Sequence, residues 1–294
     1  MKPAAFDYYT PKTVREALEL IEDFGYDAKI LAGGQSLIPT MNMRLARPQA
    51  LIDIGQLDAL DYIQVTDTEI QIGAMVRHYA VEHSSQIAQA CPMLSEGIRL
   101  VGHSQIRSRG TIGGSLVHAD STAELPVMLR TLGGTVTLAS LDEERTIEAE
   151  EFFLTYLTTT IEANEILVSA QFPKITGRTG HAIEEFTLRK GDFAIVLAAA
   201  SVTLDEEGKI ESVSLGLGGV DGAPVKLDDI EDELAGEDPD SVLIAEYCET
   251  IREAIDPEPD IHASTDYRKD LSVTLSRRVL EKAVQHARGQ YRHV

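Results

Sequence analysis

The chain has 294 residues, enough for two domains that each bury a core, and 43% of them are hydrophobic with Trp absent. Asp and Glu number 48 against 26 Lys and Arg, a net charge of −22 with no basic stretch to offset it, which excludes a nucleic-acid partner because phosphate binding needs a basic footprint. No apolar run reaches the length of about 18 residues that a membrane span requires, and the opening MKPAAFDYYT lacks the apolar core of a secretory signal, so no membrane and a cytoplasmic location are expected.

In chain order, the first element reads as an amphipathic helix. Val14, Ala17, Leu18 and Ile21 follow the 3.6-residue period, Thr13 with Glu16 resembles a capping box, and Gly25 closes the turn. AKILAGG at 28–34 is a short strand running into a glycine turn, SLIPTMNMRL a short helix, and ALIDI at 50–54 a second strand. YIQVT and EIQIGA alternate apolar and polar residues around Asp67 and Thr68, as a hairpin does. From Val76 to Val101 the pattern is helical and breaks near Pro92. HSQIRSRGTIGGSLVHADS is polar and glycine-punctuated, so it is expected as loop and functional surface. TAELPVMLRTLG reads as a helix, and GTVTLAS and EILVSAQF as strands.

KITGRTG at 174–180 is the best linker. Beyond it FAIVLAAASVTL and KIESVSLGLGGV form a second hairpin around Asp205-Glu206-Glu207-Gly208, and helices finish the chain. In the last of them Leu271, Leu275, Val279 and Ala283 recur on one face. The fold class is therefore α+β, with residues 1–177 as one domain (subdomains of about 1–55 and 56–177) and 178–294 as a smaller one of antiparallel sheet plus helices.

Two glycine clusters carry the chemistry: Ala32, Gly33, Gly34, Gln35 and Ser36, then Thr111, Ile112, Gly113, Gly114 and Ser115. Glycines let backbone N–H groups approach and converge on an anion, and Ser36, Thr111 and Ser115 add hydroxyl donors. Two such loops could clasp the phosphates of a dinucleotide without Lys or Arg, although each alone reads more often as an ordinary turn. No GxGxxG lies between a strand and a helix, and no GxxxxGK[ST] occurs. GLGGVDG follows a strand and leads into Ala-Pro, so it reads as a strand-end turn.

Other polar residues read more plainly. Cys91 and Cys248, without a Cys-x-x-Cys pair, cannot hold an iron–sulfur cluster and read as buried small hydrophobes. His118 and Asp120 have metal-like spacing, but two ligands are too few, and no metal is expected. His103, Gln105 and Arg107 are placed to order the second loop. Arg189 and Lys190 either neutralise phosphate or form surface ion pairs. No Ser-His-Asp set is legible. The acidic residues are dispersed and only 9 of the 26 cations are Lys, which suggests a salt-loving source or a merely soluble acidic protein.

FDYYTPKTVREALELI, LAGGQSLIPTMNMRLARPQALIDI, QIRSRGTIGGSLVHADSTAELP and RKGDFA closely resemble the FAD-binding medium subunits of the molybdenum hydroxylases, the group of aerobic carbon monoxide dehydrogenase and xanthine dehydrogenase. The resemblance implies a two-subdomain FAD-binding domain of the PCMH type followed by the C-terminal flavoprotein domain. It implies non-covalent FAD, with the pyrophosphate against Ala32, Gly33, Gly34, Gln35 and Ser36 on one side and Thr111, Ile112, Gly113, Gly114 and Ser115 on the other. An acidic contact is implied at Asp120 or Glu124, an apolar backbone contact at Leu167, and an aromatic cover for the flavin at Phe193. Ser115 stands where many relatives have Asn, and Ser121 where Pro is common. Thr187 stands where some relatives carry Lys, so that contact is left unassigned.

The implied role is electron transfer, from [2Fe–2S] centres on a small subunit to an external acceptor. The molybdenum cofactor would sit on a large subunit, the assembly being a dimer of heterotrimers. The rivals are a stand-alone FAD-dependent oxidase or dehydrogenase and a non-catalytic FAD-binding protein. Against the first stands the lack of a base paired with an apolar pocket, and of a His or Cys placed to attach flavin covalently.

Overall fold

A computed structural model describes residues 1–289. Three larger sheets follow one another along the chain, with a two-stranded ribbon, Phe153–Thr155 and Thr158–Thr159, beside them. The buried residues form three clusters, one of which joins the second sheet to Leu197 and Ala199 of the third. The first sheet is parallel, with Ala50–Asp53 between Asp7–Tyr9 and Ala28–Leu31. Parallel strands need crossovers, and the helix Val14–Phe24 supplies one. Thr13 caps it by accepting the Glu16 amide at 3.1 Å, Gly25 ends it at φ 53°, and Ala17, Leu18 and Ile21 face inward.

The second sheet is antiparallel and five-stranded, in the order Ile63–Val65, Glu69–Gly73, Ile166–Pro173, Thr135–Ala139, Glu144–Glu148. The expected hairpin is its first pair. Short helices His78–Glu82, Ser85–Ala90 and Pro92–Gly97 pack beside it, so the helical stretch breaks after Glu82 as well as at Pro92. The helix Glu124–Thr131 is apolar almost all round and buries Leu125, Val127, Met128 and Leu129.

The third sheet runs Thr179–Phe186, Val196–Leu204, Ile210–Gly218, Val225–Lys226. Its strand Val196–Leu204 is buried at nearly every position, because the sheet is covered on both faces. The helix Thr265–Ala287 covers one face with Leu275, Val279 and Ala283, and Glu124–Thr131 covers the other.

Three readings of the sequence need correction. The segment expected as loop holds a helical turn, Ser104–Arg107, and the helix Ile112–His118. Thr111 caps that helix, and Ile112 with Leu116, four residues apart, anchor it in the core, which the adjacent glycines obscured. The strands Glu144–Glu148 and Thr179–Phe186 were not anticipated; charged side chains leave only Ile147 buried in the first, and in the second Gly180, His181 and Ala182 are buried in a row, so neither alternates cleanly. Thr179 already belongs to a strand, so the connecting stretch is shorter than 174–180.

Candidate functional site

The first glycine loop leaves the strand Ala28–Leu31 and enters the helix Leu37–Asn42. Gly34 takes φ 73°, a conformation that a side chain disfavours. Among the described residues no acceptor takes the amides of Gly33, Gly34, Gln35 or Ser36. The Gln35 side chain folds back, Nε2 donating to the Gly33 carbonyl at 3.2 Å. A run of unfilled N–H groups in such a turn forms a concave anion cradle.

The second loop is built differently. The Ile112 amide donates to the Val76 carbonyl at 3.0 Å and the Gly113 amide to the Ala74 carbonyl at 2.9 Å. The Gly114 amide donates to Thr111 Oγ1 at 3.1 Å, and that of Ser115 to the Thr111 carbonyl at 3.1 Å. Gly113 is glycine for packing: a Cβ there would lie 2.6 Å from the Ala74 Cβ. It was expected to face phosphate; it lines the cleft, with its Cα packed on Ala74 in the turn after the strand Glu69–Gly73.

Buried side chains brace this loop. His78 Nε2 donates to the Thr111 carbonyl at 2.9 Å, and burial lowers the imidazole pKa to about 4, so the ring is neutral. Among the described residues its buried Nδ1 has no partner, and His78 lies on the cleft. Arg107 grips both Glu82 carboxylate oxygens, at 2.8 and 3.1 Å, and the Val101 and Gly102 carbonyls. Of the three residues expected to order the loop, Arg107 makes these bonds, while His103 packs against Gly191.

The loops touch. A Cβ on Gly33 would lie 2.5 Å from the Arg109 carbonyl oxygen and 2.9 Å from the Gly110 Cα, and one on Gly114 would lie 3.7 Å from the Ala32 Cβ. Between them opens a cleft of about 530 Å³, a volume suited to a cofactor. Every expected site residue lines it except Ile112, whose side chain is fully buried in the core. Leu167 contributes from the second sheet, and Phe193, 66% exposed, stands at the mouth on the segment Gly191–Asp192–Phe193 from the C-terminal part. Lys29, Glu165, Val101 and Ile106 also line it; nothing in their sequence context singled them out.

Two carboxyls stand here in different states. Asp120 Oδ1 is held by the Thr122 amide at 2.9 Å and hydroxyl at 2.7 Å. Glu124 is 8% exposed, and burial, with the negative charges of Glu185 and Asp120 beside it, pushes its pKa up to about 8. It is therefore largely protonated at neutral pH and able to donate a hydrogen bond into the cleft. Burial raises Glu185 to about 7. Among the described residues no cluster of His, Cys, Asp or Glu suits a metal ion, and both cysteines are buried with thiol pKa values raised to about 12.

These features fit FAD: a free-amide cradle for a pyrophosphate, apolar walls for flat rings, and polar side chains for hydroxyl groups. Comparison with known proteins agrees. Residues 4–175 match the family described as the FAD binding domain in molybdopterin dehydrogenase, and residues 181–283 the CO dehydrogenase flavoprotein C-terminal domain. The 6-hydroxypseudooxynicotine dehydrogenase complex subunit alpha of Paenarthrobacter nicotinovorans is 41% identical, over 98% of this chain and 97% of that one. Among solved structures, quinoline 2-oxidoreductase from Pseudomonas putida 86 superposes with TM-score 0.93 at 35% identity, covering 98% of this chain and 99% of that one. Carbon monoxide dehydrogenase from Hydrogenophaga pseudoflava gives TM-score 0.94 at 30% identity, covering 97% and 99%. The chain, matched in both its halves, belongs to the family of FAD-binding medium subunits of the molybdenum hydroxylases.

Proposed function

We propose that this chain is the electron-transfer subunit of a cytoplasmic molybdenum hydroxylase, a dimer of heterotrimers. It would receive electrons from the [2Fe–2S] centres of a small subunit and pass them to an external acceptor, substrate being hydroxylated at a molybdenum cofactor on a large subunit. The observation that carries the cofactor's place is the run of unfilled amides from Gly33 to Ser36 facing a second, braced glycine loop across one cleft.

In this reading those amides hold the pyrophosphate, and the second loop sets the cleft width. Asp120 accepts, and protonated Glu124 donates, hydrogen bonds to the cofactor's polar groups, Leu167 packs on a ring and Phe193 covers the flavin. Bound flavin supplies redox chemistry that takes electrons singly and releases them in pairs, while the protein supplies position and electrostatics. Residues 1–177 form the FAD-binding unit and 178–294 the unit that closes it.

The test is anaerobic spectroscopy at the flavin band. The isolated chain carries FAD that acid or heat releases; dithionite bleaches it, whereas aldehydes, purines and carbon monoxide leave it oxidised. Adding the two partner subunits makes bleaching by the complex's substrate appear. Rapid reduction of the isolated chain by an organic substrate would favour a self-contained oxidase instead.

A further inference from the structure

A second cavity, of about 520 Å³, borders the first glycine loop and shares residues 32–35 with the cleft. Arg77 and Arg109 line this cavity and not the cleft. Arg77 donates to the Arg109 carbonyl, and that same carbonyl is the atom against which Gly33 packs. Among the described residues neither guanidinium forms an ion pair, whereas Arg107, Arg145 and Arg268 each grip a carboxylate. Asp53, also on the cavity wall, is held through its two oxygens by the Tyr8 hydroxyl and the Gly55 amide. Two cations set close together and partly buried are costly unless an anion compensates them. Burial, and then the charge of Arg109, accordingly lower the Arg77 pKa, and Asp61 and Asp53 offset this only in part.

The cleft itself offers a dianion little positive charge. Among the described residues that line it Lys29 is the one Lys or Arg, against Asp120, Glu124, Glu165 and Asp192. Glu124 is largely protonated and Glu165 is paired with Arg145, which leaves Asp120 and Asp192 against a single ammonium. Over the whole chain the net charge is −22. A pyrophosphate diester carries two negative charges, and a field of that sign opposes its approach unless whole positive charges stand close by. Backbone amides supply only partial ones. Residues 28–52, which contain the loop, hold Lys29, Arg44 and Arg47 and no Asp or Glu, so the loop's own segment adds no negative charge.

We propose that Arg77 and Arg109 are the counter-charge for the FAD pyrophosphate, set behind the amides of Gly33, Gly34, Gln35 and Ser36. The inference rests on the reading above, in which those amides hold the pyrophosphate, and adds what keeps a dianion on so acidic a protein. Both arginines are positioning residues that act through the loop. The path runs from the Arg77 guanidinium to the Arg109 carbonyl and on to the backbone of Gly33. One hydrogen bond and one backbone contact span a distance comparable with the screening length of about 8 Å at physiological ionic strength, so the field reaches the cradle. The Arg109 side chain makes no bond within the described chain and contributes its charge alone.

The experiment titrates FAD into the full FAD-free chain, wild type against Arg109→Gln, Arg109→Glu and Arg109→Lys. The dissociation constant should rise about tenfold in Arg109→Gln, where the charge is lost, and further in Arg109→Glu, where it is reversed. Arg109→Lys should stay close to wild type, and the differences should shrink in molar KCl. The melting temperature of FAD-free Arg109→Gln should hold or rise, because removing one of two like charges relieves their repulsion. Inorganic pyrophosphate should compete with FAD for wild type and bind Arg109→Gln more weakly. Four results would overturn the proposal. The first is FAD affinity in Arg109→Glu equal to wild type. The second is a loss in Arg109→Lys as large as in Arg109→Gln, which would make shape and not charge the cause. The third is a lower melting temperature of FAD-free Arg109→Gln, the mark of a structural role. The fourth is inorganic pyrophosphate that stabilises wild type without displacing FAD, which would make the cavity a separate anion site. A wild-type chain that takes up no FAD would instead remove the reading of the cleft, and this inference with it.

Discussion

In the first glycine loop the doublet Gly33–Gly34 leaves the amides through Ser36 without acceptors, and Gly34 holds a left-handed turn. In the second, the doublet Gly113–Gly114 begins a helix whose first amides are all engaged, and Gly113 lies flat against Ala74. Glycine allows close packing in both loops, Gly33 against Arg109 and Gly113 against Ala74, and in the function proposed above it serves recognition in the first alone. The ligand-facing loop is thus the less tied down, and the other acts as a fixed wall. Substitution in the first should cost binding as well as stability, and in the second stability with little loss of binding.

The largest effect that separates the two follows from Gly33→Val. The new side chain would push the loops apart at the Arg109 carbonyl. FAD affinity should fall by about a hundredfold, roughly 2.7 kcal/mol, together with a fall of several degrees in the melting temperature of the FAD-free protein, because the clash is with backbone. Fluorescence titration with FAD reads the first quantity and calorimetry the second. An affinity equal to wild type would show that this loop does not hold the cofactor.

Gly113→Ala should cost stability and leave FAD affinity near wild type. Overpacking against Ala74 should cost about 1–3 kcal/mol and lower the melting temperature of the FAD-free protein by several degrees, roughly 2–4 °C per kcal/mol at this size. A variant as stable as wild type that has lost FAD would mean that both loops use their glycines alike.

A smaller effect tests the titratable wall that follows the second loop. The folded-state pKa of Glu124 is raised to about 8, above the value near 4.3 expected unfolded. The folded protein therefore holds a proton that the unfolded chain has lost. Its stabilising effect is complete below about pH 4 and is lost as pH rises towards 8, at no more than about 1.4 kcal/mol per pH unit. Glu124→Gln should flatten the fall in stability across that window, read as melting temperature against pH. An identical slope in the variant would place the titration elsewhere, Glu185 being the next group.

Much of this was legible in the sequence. The capped helix after Thr13, the hairpin about Asp67–Thr68 and the face Leu275, Val279, Ala283 follow from periodicity and caps, which are local signals. Likewise the residues of AGGQS, with those of TIGGS other than Ile112, meet on one cleft. What stayed hidden depends on contacts between distant segments. Ile112 faces the core because Val76 takes its amide, and Gly113 is glycine because Ala74 lies across from it. The state of Glu124 depends on its burial and on Glu185, 61 positions away. His78, which braces Thr111, sits in an unremarkable VRHYA.

One contact described above reaches beyond the site. Gly191 adopts φ 87° and lies against the His103 ring, so the segment that carries Phe193 rests on the FAD-binding part and completes the cleft from the other side. A cofactor held in that cleft touches both parts, and its affinity must include the work of bringing them together. By reciprocity it also strengthens their docking by the same free energy. Removing FAD therefore loosens a joint as well as emptying a pocket. The connection at 174–178, which contains left-handed Gly177, should then be cut faster by protease in the FAD-free protein than after reloading with FAD, and equal cleavage rates would show that the cofactor does not tie the two parts together.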